Sequence, residues 1–241
     1  MSELQQASQG QQENNPVNFI YSHAKDIQNV LAKGTDMDRW LQMARLAVMR
    51  DPNLVASAKR DPGSLMQALL DCAEKGHIPG TEDYYLVPRK GGIQGMESWK
   101  GIAKRIMRSG RYQSIVNEVV YEGEKFEFNP NTMDRPVHEI NYMTRISGTP
   151  VLSYAYTLDH EGKPSTVAVA DPRYIAKVKK NSRGTVWADW DEQMYRKTAV
   201  KMLQDYVDTS SSDRRDVSTV QVEDAHAVDV DGTFYPLEAG E

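Results

Sequence analysis

The spacing of the apolar residues changes twice along the chain, and this order of patterns limits the folds available to it. Residues 35–51 and 62–76 place apolar side chains at helical spacing, whereas residues 84–97 and 113–170 carry short β-rich runs separated by turns. Helical patterns return between residues 171 and 203. Because strands and helices do not alternate as in βαβ units, the sequence predicts an α+β fold. We expect N-terminal helices, a central antiparallel β-meander and basic C-terminal helices.

Local signals place the expected elements. Thr35 or Asp36 caps a first helix that stops at Asp51-Pro52, and a second helix runs from Pro62 or Ser64 to Gly76. The expected strands are residues 84–88, 93–97, 115–128, 140–146, 151–159 and 165–170. Helices are expected at 99–112, from the cap Asp171 onward, and at 187–203.

Both ends of the chain differ in composition from its middle. Residues 1–15 are rich in Gln, Asn and Ser, and residues 208–226 are polar and acidic, so neither can offset the chain entropy lost on folding. We therefore predict a disordered tail at 1–15, a core domain at 16–206 and an acidic, disordered tail at 207–241. The start resembles no signal peptide and no apolar run could span a membrane, which predicts a cytoplasmic protein without a membrane partner.

The net charge of −5 combines two parts of opposite sign. Residues 205–241 hold ten acids and two arginines, a net charge of −8, so residues 1–204 carry +3. Residues 89–111 alone carry +6. A local cluster of this kind is typical of a surface that binds phosphates.

The segment WKGIAKRIMRSGRY at 99–112 concentrates its cations on one side of a helix. The stripe consists of Lys100, Lys104, Arg108 and Arg111, with Arg105 beside it. Trp99, Ile102, Ala103 and Ile106 lie opposite and are expected to pack. A solvated helix face normally mixes charges of both signs, so a stripe with scarcely any acids favours the binding of an anion over simple solvation.

The segment WADWDEQMYRKTAVKML at 187–203 has acids in front and bases behind, the order that a helix dipole favours. On a helical wheel Arg196, Lys197 and Lys201 share one side, and Trp187, Trp190 and Met194 share another. The first side is a candidate anion-binding surface, or else a solvated surface on which Glu192 pairs with Arg196. The helix before it adds the cations Arg173, Lys177, Lys179, Lys180 and Arg183.

Five blocks of sequence follow one another in a characteristic order. They are SLMQALLDCAEKGHIPG, YYLVP, WKGIAKRIMRSGRY, VVYEGEKFEF and DEQMYRKTAVKML. This order resembles the phage RecT family of single-strand DNA annealing proteins over about residues 30–206. The last block is the most specific, through Met194 and the run from Arg196 to Ala199.

The resemblance implies a function and a set of partners. Such proteins bind single-stranded DNA without ATP, coat it as a homo-oligomeric ring or filament, and pair it with a complementary strand into a duplex intermediate during recombination. The implied setting is the cytoplasm of a bacterial host, with a partner exonuclease and the host single-strand binding protein as further candidate partners. No enzyme activity and no cofactor are implied.

A basic groove that contacts phosphates and leaves the base edges free suits this function. The candidate DNA-binding residues are Lys100, Lys104, Arg105, Arg108, Arg111, Arg173, Lys177, Lys179, Lys180, Arg183, Arg196, Lys197 and Lys201. Trp187 and Trp190 are predicted to pack in the core rather than stack on bases, because they share a side with Met194.

Two other classes of function remain as alternatives. Glu161 and Lys163 have the E-x-K spacing of some metal-dependent nucleases, but a hairpin turn explains Asp159-His160-Glu161-Gly162-Lys163 better. A non-annealing DNA-binding regulator would require a helix-turn-helix or a zinc finger, and the sequence shows neither. It also shows no P-loop and no histidine cluster, so we predict no catalytic residues, metal ligands or cofactor.

Overall fold

A computed structural model describes residues 15–32, 34–182, 186–209, 227–228 and 234–235. The chain divides into two compact units, residues 1–101 and residues 102–241, and each unit is described by itself. The predicted tail at 1–15 lies outside the described residues except for Asn15, and so does most of the predicted tail at 207–241.

The described part of the first unit begins with five helices: α1 (Pro16–Ser22), α2 (Ala24–Val30), α3 (Met37–Met49), α4 (Pro52–Arg60) and α5 (Pro62–Glu74). The carboxylates of Asp36, Asp51 and Asp61 each accept a hydrogen bond from a backbone N–H in the first turn of the helix that follows. The predicted end of the helix at Asp51-Pro52 is also the beginning of α4, because Asp51 caps α4 and Pro52 fits its first turn. The sequence did not predict α1, α2 or α4.

A hairpin completes this unit and confirms the predicted strands. β1 (Tyr84–Arg89) pairs antiparallel with β2 (Gly92–Glu97), and the turn holds Lys90 and Gly91 at positive φ. Tyr84 is fully buried, and its hydroxyl donates a hydrogen bond to the carboxylate of Asp71. Burial and that carboxylate raise the pKa of Tyr84. The hairpin is thereby fixed to α5.

Helix α6 (Trp99–Arg108) contains the boundary between the two units. Ser98 begins it by accepting a hydrogen bond from the backbone N–H of Gly101, at 3.1 Å from its Oγ. A side chain at Gly101 would collide with the carbonyl oxygen of Asp83. Glycine therefore allows the first turn of α6 to pass the chain that precedes β1.

The second unit is built on an antiparallel sheet in the order β3–β6–β7, formed by Tyr112–Tyr121, Pro150–Asp159 and Ala168–Ala170. β4 (Lys125–Glu127) and β5 (Val137–Glu139) form a separate antiparallel pair inserted between β3 and β6. In the register of the main sheet Val119 is paired with Ser153, and Tyr154 is paired with Val169. The predicted α+β class and its central antiparallel strands are confirmed.

One predicted strand is wrong. Residues 142–145 form the short helix α7 (Tyr142–Arg145), where the β-rich composition of residues 140–146 had indicated a strand. Asn141 explains the difference, because its side-chain oxygen accepts hydrogen bonds from the N–H groups of Met143 and Thr144 and so begins a helical turn. Tyr142, Met143 and Ile146 remain exposed.

In the residues described after the sheet there are three helices: α8 (Pro172–Asn181), α9 (Val186–Asp189) and α10 (Asp191–Leu203). The predicted cap Asp171 is confirmed by its hydrogen bonds from the N–H groups of Arg173 and Tyr174. α10 covers one face of the sheet, where the hydroxyl of Tyr195 donates to the carbonyl of Pro150 at 2.8 Å. Within the C-terminal tail, β8 (Ala227–Val228) pairs with β9 (Phe234–Tyr235).

Candidate nucleic-acid interface

The cationic stripe of α6 lies on the surface, as its pattern predicted. Lys100, Lys104, Arg108 and Arg111 are exposed and Arg105 is half-buried, whereas Ile102 and Ile106 on the opposite side are buried. Lys100 pairs with Glu82 at 2.8 Å and Arg111 pairs with Asp208 at 2.6 Å. About half of each of these four side chains is exposed, so both ion pairs are in contact with solvent.

An open depression lies beside this stripe, between α6 and β3. Ala103, Met107 and Ile115 form its apolar part, and Lys104 and Arg108 line it as well, around a volume of about 550 Å³. The arrangement places two cations beside an apolar surface, which suits a ligand with both charged and apolar parts.

The cations of helix α8 lie in two kinds of environment. Ile175 is buried, while Arg173, Lys177 and Lys180 are exposed and follow one another at helical spacing. Lys179 instead lies over two aromatic rings, with its Nζ 4.9 Å from the ring centre of Tyr195 and 5.1 Å from that of Trp187. Arg183 lies outside the described residues. Among the described residues, we therefore take the exposed stripe on α8 to be Arg173, Lys177 and Lys180, because Lys179, although exposed, contacts the two rings.

The turn after α10 lies near both basic helices. Asp208 pairs with Arg111 in the turn after α6, and its N–H donates to the hydroxyl of Tyr112 at 3.0 Å. Burial and the nearby carboxylate of Asp205 raise the pKa of Tyr174 at the start of α8. The first residues of the predicted acidic tail are thus placed beside the candidate DNA-binding surface.

Arg196 contacts the protein itself. Its guanidinium donates to the carbonyl of Asn117, to Glu118 at 3.2 Å and to Glu192 at 3.0 Å. The contacts with Asn117 and Glu118 attach α10 to β3, and 21% of the side chain is exposed. The pairing of Glu192 with Arg196, one of the two interpretations of this helix, is present. A contact between Arg196 and DNA stays a prediction.

The remaining candidates on α10, Lys197 and Lys201, are half-buried and take part in interactions within the protein. At the end of this helix Gln204 accepts a hydrogen bond from Arg105 of α6, at 3.3 Å. The sequence placed these residues on one helical side, and the structure brings that side against β3 and α6.

The two tryptophans of the C-terminal region differ from each other. Trp187 packs edge-on against Tyr195, with ring centres 5.7 Å apart, which confirms the predicted packing. Trp190 is 65% exposed, so the prediction that it packs in the core is wrong. The reason is a break between α9 and α10 at Trp190, where the sequence predicted one continuous helix.

The E-x-K segment forms the predicted hairpin turn. The carboxylate of Asp159 accepts hydrogen bonds from the N–H groups of Glu161 and Lys163, and Gly162 has a φ of 78°. Asp159 is therefore used to hold the turn after β6.

None of the helices in the described ranges combines the length and the apolar composition that a membrane span requires.

Comparison with known proteins agrees with this geometry. The model of the RecT family matches residues 38–231, which is more than half of the chain. The chain belongs to the RecT family. It is similar to Protein RecT of Escherichia coli (strain K12), with 24% identity over 187 residues, covering 73% of this chain and 70% of that protein. Membership of the RecT family implies single-strand DNA annealing in recombination.

The sequence did not predict two features of this surface. One is the ion pair between Asp208 and Arg111, which joins positions 97 residues apart in the chain. The other is the exposure of Trp190. A local signal for the second exists, because Trp190 precedes two acids that suit the first turn of a helix, and a helix could therefore begin after it.

Proposed function

We propose that this protein binds single-stranded DNA through the exposed cations of α6 and α8 and anneals it to a complementary strand without ATP. The observation that carries the proposal is a pair of exposed cationic stripes in one chain. The first consists of Lys104 and Arg108 on α6 with Arg111 in the turn after it, and the second of Arg173, Lys177 and Lys180 on α8. Contacts of this kind bind phosphates without selecting a base sequence. Annealing requires such binding, because the second strand must read the exposed bases.

The exposed ion pairs on α6 are compatible with this role. A pair between solvent-exposed side chains contributes only about 0–1 kcal/mol, so a phosphate can replace Glu82 beside Lys100 or Asp208 beside Arg111 at little cost. We assign Lys179, Lys197, Lys201 and Arg105 to the edges of this surface, since Lys197, Lys201 and Arg105 are half-buried and Lys179 contacts two aromatic rings. Arg196 acts mainly by holding α10 in place.

We extend the proposal to the oligomeric assembly, the cellular location and the protein partners. One chain offers a short row of cations, so continuous coverage of a long strand would require neighbouring copies, as a ring or a filament. We further propose a cytoplasmic setting, with an exonuclease that generates single strands and a host single-strand binding protein as partners.

An annealing assay tests the central claim. Two complementary oligonucleotides, one with a fluorophore and one with a quencher, are mixed with and without the protein, in the absence of nucleotide and with EDTA present. We expect the protein to accelerate quenching and to leave both strands intact on a denaturing gel. Binding without acceleration would favour a DNA-binding regulator, and cleaved strands on repeating the assay with Mg²⁺ would favour the nuclease alternative.

A further inference from the structure

Among the described residues, the tryptophans occupy contrasting environments. Trp40 is 1% exposed, and its indole N–H donates to the carbonyl of His77 at 2.8 Å. Trp99 and Trp187 are half-buried. Trp190 is 65% exposed, although burial of its large ring would favour folding. Packing therefore explains the other three and leaves Trp190 unexplained.

Trp190 also contributes nothing as a helix cap. It occupies the N-cap position of α10 and its side chain makes no capping hydrogen bond there. Ser, Thr, Asp or Asn would satisfy a backbone N–H at this position, whereas an indole cannot accept one. A residue that serves neither the local helix nor the core is a candidate for function.

The surroundings of Trp190 suit a nucleic acid. Trp187, three residues before it, lies under Lys179, and Lys180 is exposed on the same end of α8. Of the acids that follow Trp190, Glu192 accepts hydrogen bonds from Arg196 and from the hydroxyl of Tyr121 at 3.1 Å. Asp189 and Asp191 directly flank Trp190, and Asp191 accepts a hydrogen bond from the backbone N–H of Glu192. The two acids after Trp190 are thus engaged within the protein, and the charged side chains of α8 are all positive.

We propose that Trp190 stacks on a base of single-stranded DNA whose phosphates are bound along α8. This inference rests on the proposed function and adds a contact of a different kind. Cations bind the phosphates, and an exposed indole provides a flat surface that accepts any base, because every base has a π-face. Such a contact holds one nucleotide in place without hydrogen bonding to the edges that the complementary strand must pair with.

The test measures binding of a labelled oligo(dT) by fluorescence anisotropy at several salt concentrations, for wild type, Trp190→Ala and Trp190→Phe. Loss of one stacked base should weaken binding by about 5- to 150-fold. The slope of log affinity against log salt should stay unchanged, because stacking releases no counterions. Trp190→Phe should restore much of the affinity. Tyr142→Ala, which removes another exposed aromatic ring of this unit, is the matched control and should bind like wild type.

An oligonucleotide of abasic sites separates stacking from contact with the backbone. Wild type and Trp190→Ala should bind it equally, since it offers phosphates without bases. Equal binding of oligo(dT) by wild type and Trp190→Ala would overturn this inference and leave the proposed function intact. A weaker binding of Trp190→Ala to the abasic strand would also overturn it. Failure of wild type to bind either strand would overturn the proposed function itself.

Discussion

The stripe on α6 and the arginine on α10 look alike in the sequence but differ in the structure. Both are cations on one side of a helix whose other side is apolar. Arg108 of the stripe is exposed, whereas Arg196 donates hydrogen bonds to β3 and to its own helix. A helical wheel identifies which residues share a side. It does not identify what that side packs against.

The difference has a thermodynamic consequence. A surface ion pair such as Arg111–Asp208 contributes about 0–1 kcal/mol and is readily exchanged for a phosphate. Removal of Arg196 would take a charged donor from the carbonyl of Asn117 and from the carboxylates of Glu118 and Glu192. The loss of a charged partner by half-buried groups costs more than the loss of a surface ion pair. Exposed cations can therefore exchange their partners for a phosphate at little cost, whereas the half-buried Arg196 stabilises the fold.

A second enclosed charge supports the same distinction. The carboxylate of Glu124 is fully buried and accepts hydrogen bonds from Arg145 at 2.7 Å, from His138 at 3.0 Å and from the N–H groups of Tyr121 and Asn141. These contacts hold α7 and β5 against the end of β3. Glu139, by contrast, pairs with Lys125 on the surface.

The largest effect on stability should come from protonation of Glu124 at low pH. Burial alone would raise its pKa, but the hydrogen bonds from Arg145, Tyr121, Asn141 and His138 hold the pKa of Glu124 at about 2, below the usual 4.5. A carboxyl whose pKa is lowered by folding stabilises the fold above about pH 4.5, and this stabilisation is lost as the pH falls toward 2. The shift corresponds to about 3 kcal/mol.

Urea unfolding followed by circular dichroism between pH 2 and pH 7 checks this prediction. Glu124→Gln should be destabilised at pH 7, and its free energy of unfolding should change less with pH below 5 than that of wild type. Glu139→Gln, the exposed counterpart, should keep the wild-type pH dependence. If both variants followed the wild-type curve, the buried cluster would not be a source of stability.

The next effect concerns Arg196. Arg196→Gln should lower the free energy of unfolding by about 2–3 kcal/mol, because Gln cannot satisfy the three acceptors together. Arg173→Gln makes the same change at an exposed position and should stay within about 0.5 kcal/mol of wild type. Thermal and urea unfolding of the two variants measures the difference. If Arg196→Gln melted like wild type but annealed poorly, Arg196 would belong to the DNA-binding surface.

These cases indicate how far the sequence could predict the structure. Helix caps such as Asp36 and Asp171 and the turn at Gly91 are local signals, and the elements they define were found where expected. The exposure of the α6 stripe was also predictable, because its cations lack interspersed acids. The role of Arg196 depends on Asn117, 79 residues away, and the sequence gives no measure of that contact. The exposure of Trp190 was not predicted, because the sequence indicated one continuous helix over residues 187–203.

A charge reversal on α6 tests whether its exposed cations bind DNA. Lys104→Glu combined with Arg108→Glu should leave unfolding nearly unchanged, because both side chains are exposed. Binding to single-stranded DNA should weaken roughly ten- to thirtyfold at 0.1 M salt, and the salt slope should become shallower by about 1.4 for the two lost contacts. Arg39→Glu with Arg45→Glu on α3 makes the same change in net charge and should bind like wild type. An unchanged slope in the α6 variant would remove this helix from the DNA-binding surface.

The smallest effect should come from the acidic end of the chain. Residues 205–241 carry a net charge of −8, and Asp208 already pairs with Arg111. If this segment competes with DNA for the stripe, ending the chain after Val207 should tighten binding by roughly two- to fivefold at low salt, with a smaller gain at 0.5 M salt where charges are screened. The full-length variant Asp208→Asn removes only the ion pair and should give part of that gain. Titration of a labelled oligonucleotide with the three proteins measures both effects. Equal or weaker binding by the shortened chain would exclude self-competition, and the acidic segment would then be better explained as a site for another protein.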